Sequence, residues 1–273
     1  MVPSRSRGIT LVELLVAISL SLVLLAGVIT IFAGTKATSR VQVGLGTVQE
    51  NGRFAMQHML RDIRGAGFVG CAGPVPKQVN ILADLDGLEI GMSSSDAQAL
   101  DSNLRDGALV EGGRISAASN PFNAVVGTDW VRVWSGQDLF ARLDGSVDPS
   151  ETSMQTTGLA DTLEQGDLVL LSDCTSMDLF CSGNARSGQR SLRRPDGCNN
   201  EVLLSKAYGK DAALLAFGGY TYFVRELSSR SNNAGRPIRA LFRQDAVTGT
   251  AHELVDGIED LQIAYGVDGD GNR

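Results

Sequence analysis

The sequence predicts an α+β protein: a long N-terminal α-helix, membrane-spanning over its first half, packed on a C-terminal antiparallel β-sheet domain. Three observations predict it. Between Glu13 and Lys36 stand 22 consecutive uncharged residues. Beyond them an apolar stripe keeps helical spacing toward Arg64. After Pro76 the period falls to two, in a chain carrying 32 glycines among 273 residues, a content that favours many turns and short strands.

The N-terminal element comes first. Residues 1–8 are short and polar, with Arg5 and Arg7 and no acid. Leu14 to Ala33 is a 20-residue apolar or small neutral run, which as a helix rises about 30 Å, the thickness of a bilayer's hydrocarbon core. Basic residues before the run, and none after it until Lys36, place the N-terminus in the cytoplasm. A secretory signal peptide is the competing reading. Its apolar region is usually only about 7–15 residues long, and only Ala33-Gly34-Thr35 offers a poor cleavage site here.

Glu13 is the exception inside the span. A carboxylate at membrane depth costs about 2.5–3.5 kcal/mol and is a functional candidate by default. If the chain were cut between Gly8 and Ile9, Ile9 would gain a free α-amine. Glu13, at i+4, could then meet its own amine or that of an adjoining subunit. Such an ion pair in a low dielectric would set the axial register between neighbouring helices.

Gly8-Ile9-Thr10-Leu11-Val12-Glu13-Leu14-Leu15-Val16-Ala17-Ile18 resembles the class III leader and N-terminal helix of type IV pilins and pseudopilins. The resemblance implies a leader over 1–8, cleavage after Gly8 by prepilin peptidase and N-methylation of Ile9, where many pilins have Phe. It further implies a transmembrane and assembly helix over 9–33. Thr30 stands where major pilins commonly have a helix-loosening Pro, which favours a minor component.

The soluble half of the helix is expected over 34–64. Val41, Leu45, Val48, Gly52, Ala55 and Met59 fall at spacings of four and three on one face, a stripe expected to pack on the protein's own globular domain. Gly65-Ala66-Gly67-Phe68-Val69-Gly70 then matches the spelling of a dinucleotide-binding loop. That chemistry needs a strand before the glycines and a helix after them. Here a helix precedes and a turn follows, so the glycines are expected to cap the helix and open an exit loop. The run Glu50–Ala55 and the run Arg61–Cys71 are similar to the stretch that follows the helix in PilW-type minor pilins.

The globular domain is expected over 65–273. Trp130 to Trp134 alternates as a half-buried strand, and Leu168 to Leu171 reads as a strand covered on both faces. Val202 to Leu204, Tyr220 to Val224 and Ile238 to Phe242 are further strands, punctuated by Gly218-Gly219 and Arg236-Pro237. The polar stretches 93–103, 144–157 and 228–235 read as loops or a small helix. Glu253 to Leu261 is expected to form a short helical turn leading into a strand over 262–267. That segment resembles the close of PilW-type pilins and of the larger minor pseudopilin of type II secretion.

Cys71, Cys174, Cys181 and Cys198 would face an oxidising compartment if the domain is periplasmic, and their even number predicts two disulfides. Three connectivities are open. The expected one pairs Cys174 with Cys181 and leaves Cys71 with Cys198. A zinc site competes poorly, because no CxxC occurs. Asp268, Asp270 and Asn272 begin like a calcium loop but lack its later ligands, so a polar turn is the better reading.

No hydrolase elbow, metalloprotease or phosphate-loop motif occurs, and His58 and His252 are the only histidines. No enzyme activity, cofactor or resident metal is expected. The acidic balance, 31 Asp+Glu against 24 Lys+Arg, argues against nucleic acid as a partner. The resemblance implies a PilW-type minor pilin, first anchored in the inner membrane with a periplasmic domain and then part of a surface fibre. Its implied partners are other minor pilins, the major pilin, prepilin peptidase and the inner-membrane assembly platform. A pseudopilin of type II secretion is the nearest alternative. A membrane-anchored periplasmic binding protein or enzyme is the remote one.

Overall fold

The computed structural model describes residues 10–71, 79–85, 94–158, 163–183, 190–200, 203–232 and 234–266. The chain divides into two compact units, Met1–Gly52 and Arg53–Arg273. In the first, Thr10 opens the helix α1, which runs as Leu11–Gly65 and enters the second unit with its last turns. At 55 residues it is about 80 Å long.

In the second unit, α1 ends where the glycines begin. Gly67 and Gly70 take φ of 77° and 89°, the left-handed conformation in which a Cβ would be strained. The remaining elements are β1 (Val79–Ile81), α2 (Ser94–Asp106), β2 (Val110–Arg114), β3 (Asp129–Arg142), β4 (Ser153–Gln155) and β5 (Leu168–Ser172). They continue with β6 (Met177–Cys181), β7 (Ser191–Arg193), β8 (Ala213–Ser231), β9 (Pro237–Asp245) and β10 (Ala251–Asp256). The class is α+β, with a sheet that is antiparallel except where β1 runs parallel to β6.

The 19-residue β8 is the spine. One of its edges carries β3 from Val131 to Arg142. Its other edge is shared: β5 pairs with residues 213–216, and β9 with residues 220–231. β6 and β1 extend the sheet beyond β5, β10 extends it beyond β9, and β2 lies outside β3. Alternate side chains of β8 therefore reach four clusters. Tyr222 and Val224 meet Ala55 and Met59 of α1, whereas Leu214 joins Met154, Leu192 and Tyr208 around the β4–β7 ribbon. On the opposite face Leu215 and Phe217 pack under Leu100 and Leu104 of α2, and Phe223 stacks on Phe122.

Several expectations change. The stretch expected as a helical turn over 253–261 is instead the edge strand β10, followed by irregular chain over 257–266, with no strand over 262–266. A bulge between Glu253 and Val255 carries Val255 back opposite Leu241, so a strand mimics helical spacing. Of the strand expected at 202–204, Val202 lies outside the described residues, and Leu203 and Leu204 are irregular. The stripe on α1 is covered only at its end, where Ala55 and Met59 are buried; Val41, Leu45 and Val48 stay exposed.

The cysteines pair as Cys71–Cys174 and Cys181–Cys198, not as expected. The reason is β6. The four steps of extended chain from Met177 to Cys181 cover about 13 Å and carry Cys181 away from the turn that holds Cys174, beyond the reach of a bridge between them. Cys174 instead sits at the tip of the β5–β6 turn. Asp173 Oδ1 fixes that turn by accepting from the amides of Thr175 and Ser176. Burial works to raise the Asp173 carboxyl, yet hydrogen bonds from Lys206, Thr175 and Ser176 together hold it down at about 2.

Candidate assembly site

Two places on α1 bear on function: its exposed apolar length, and its anchorage to the sheet. Leu11 through Phe32 carries fifteen large apolar side chains, all exposed. This is the one helix among the described residues that is long and apolar enough to cross a membrane.

Glu13 lies in the first turn. Its amide donates to Thr10 Oγ1 at 3.3 Å, and the Leu14 amide donates to the Thr10 carbonyl at 3.1 Å. Thr10 is thus the N-cap, and Thr-x-x-Glu is the spelling of a capping box, in which an acid three residues on favours the helix start. The sequence carries that signal in Thr10 and Glu13, three residues apart. The carboxylate is exposed and makes no ion pair with any described residue. Gly8 and Ile9, the processing residues, lie outside the described residues, as do the weak calcium candidates Asp268, Asp270 and Asn272.

At the other end α1 is fastened by a charged latch. Asp62 Oδ2 accepts from the Tyr222 hydroxyl at 2.5 Å and from Arg243 Nε and Nη2 at 3.1 and 2.9 Å. Arg243 also lies over the Tyr220 ring, 3.3 Å from its centroid. Burial, and then the neighbouring Asp62, pushes the Tyr222 phenol above its ordinary value. The exit segment 67–71 follows. Gly67 N donates to the Trp134 carbonyl at 2.9 Å, Gly136 N to the Phe68 carbonyl at 2.6 Å, and Ser172 Oγ to the Val69 carbonyl at 2.9 Å. The segment so passes from the β3 edge to the end of β5, where Cys71 meets Cys174.

Removing Asp62 leaves a buried phenol unpartnered and an arginine without its counter-ion. Asp62→Ala is expected to lower stability by about 2–3 kcal/mol, or roughly 5–10 °C in Tm, read by thermal denaturation. Because folding raises the Tyr222 pKa, its share of stability is complete below pH about 10, the unfolded value, and falls as pH rises beyond it. Tyr222→Phe should flatten that alkaline limb.

Residues 3–29 match the family model of the prokaryotic N-terminal methylation motif. The motif supports a type IV pilin-like or pseudopilin chain. It implies a prepilin-peptidase substrate that assembles with other pilins, and together with the apolar helix it fits anchoring in the inner membrane. No curated protein and no solved structure matches the chain significantly.

Proposed function

We propose that the chain is a PilW-type minor pilin that takes part in type IV pilus assembly, in a priming or tip complex with other minor pilins and the major pilin. The observation that carries this reading is the methylation motif at residues 3–29 heading a 55-residue helix whose apolar side chains are exposed. Such a helix is stable in a bilayer and equally in a bundle of like helices, so it can pass from one to the other without unfolding. The role is structural, not enzymatic. Glu13 sets axial register by pairing with an N-terminal amine, and the sheet domain makes the lateral contacts.

The similarity of Arg61–Cys71 to PilW-type pilins favours the pilus over a type II secretion pseudopilin. Mass spectrometry of the chain from membranes and from sheared fibres tests the reading. The expected product begins at a methylated Ile9, in both fractions. A functional chain that retains Met1 would overturn it, and a processed chain needed for protein secretion but absent from fibres would select the pseudopilin.

A further inference from the structure

The two disulfides stand in series on one short strand. Cys71, at the end of the α1 exit segment, is bonded to Cys174 in the turn before β6; Cys181, the last residue of β6, is bonded to Cys198. The bridges join cysteines 103 and 17 positions apart in sequence. The covalent route from the end of α1 to Cys198 therefore runs only through the step from Cys174 to Cys181. That step is the end of the turn and then β6, held between β5 and β1 with every strand residue buried.

A pull along α1 first meets the Asp62 latch and the buried Ala55 and Met59. It then reaches the three hydrogen bonds of residues 67–71. Beyond these, the route through the main chain would lead first into β1, α2 and β2, two short edge strands and a helix outside the sheet, and only then into the 14-residue β3. The route through sulfur bypasses them.

We propose that Cys71–Cys174 and Cys181–Cys198 form a tension line that delivers force on α1 to β6 and shields residues 72–173 from it. The source of that force, transfer of the helix between membrane and fibre, rests on the assembly reading; the mechanical property does not.

The full chain in detergent micelles can be stretched between an N-terminal handle and one attached at Lys210, an exposed residue just before β8. The oxidised chain is expected to release no length from residues 72–173. In Cys71→Ser/Cys174→Ser, once the same α1 contacts give way, residues 72–173 should pull out and add about 350 Å of extended chain in successive steps before β6 is loaded. If that variant does not fold, dithiothreitol supplies the second arm. Cys71 and Cys174 are exposed, whereas Cys181 is fully buried, so the first bridge is opened selectively and checked by mass after alkylation. A bridge-free chain in which β6 gives way before residues 72–173 add any length would overturn the proposal. Because the measurement needs no fibres, that result would leave the pilin reading standing, whereas an unprocessed N-terminus would remove the reading and leave the tension line.

Discussion

Glu13→Leu is expected to insert in the membrane at the normal level and to leave cells without fibres. Two effects compete to explain such a loss. Glu13 supports its own helix, since its amide is held by Thr10 and its charge sits at the positive end of the helix dipole. That contribution is about 0.5–1 kcal/mol, too little to stop assembly. An ion pair between subunits, at 4 Å and an effective dielectric near 20, is worth about 4 kcal/mol, or roughly a thousandfold in the equilibrium for adding each subunit. Register should therefore dominate. Glu13→Gln separates the two, because glutamine keeps the capping box but carries no charge. Fibre yield and twitching should fail in both variants. Normal piliation with glutamine would reduce Glu13 to a cap.

The second large effect is on stability. Arg132, its side chain 5% exposed, is held by Asp96 of α2 at 2.7 Å, Glu111 of β2 at 3.3 Å and the Thr221 hydroxyl of β8 at 2.8 Å. Its guanidinium lies within 6 Å of the rings of Phe122, Trp130 and Trp134. One cation thus joins α2, β2, β3 and β8. Arg132→Ala opens a void among three rings and leaves two carboxylates facing each other. A loss of about 3–5 kcal/mol is expected, near 10 °C in Tm. Arg132→Met keeps most of the side-chain volume and loses the charge with its hydrogen bonds, so it should recover roughly half of that loss. Equal melting of the two variants would show that packing contributes little.

The elements that the sequence exposed most clearly are those whose pattern is local. The uncharged run after Glu13, the apolar residues of Trp130–Trp134 and the continuous run Leu168–Leu171 each mark their element through their own neighbours, although Val131–Trp134 is buried on both faces and not half-buried as its alternation suggested. Tyr220–Val224 marked only part of β8, because Gly218-Gly219 looked like a break. Gly219 lies inside the strand for a distant reason: a Cβ there would come within 2.6 Å of the Trp134 ring and of the Val133 carbonyl. Leu254, Val255, Ile258 and Leu261 have helical spacing, yet they reach one cluster through a bulged strand and the irregular chain after it. The cysteine pairing followed from the extension of β6, which residue spacing alone does not disclose. Asp178 was equally silent. It is a fully buried acid in β6 that accepts from Asn80 at 2.6 Å and from the Ser205 amide and hydroxyl at 2.9 and 2.8 Å. At the N-terminus the methylation motif was legible throughout, since its pattern is local.

The late position of β8 in the chain governs the order of events during folding. β2, β3, β5 and β6 all leave the ribosome before the strand that joins them, and Ser231, its last residue, follows Asp129 by about a hundred positions. Until then the emerging polypeptide presents open strand edges. Closure of the sheet is therefore a single late event. A chain stalled before residue 213 would be unfolded and open to proteases, and a folding helper acting on this protein would be needed in that interval.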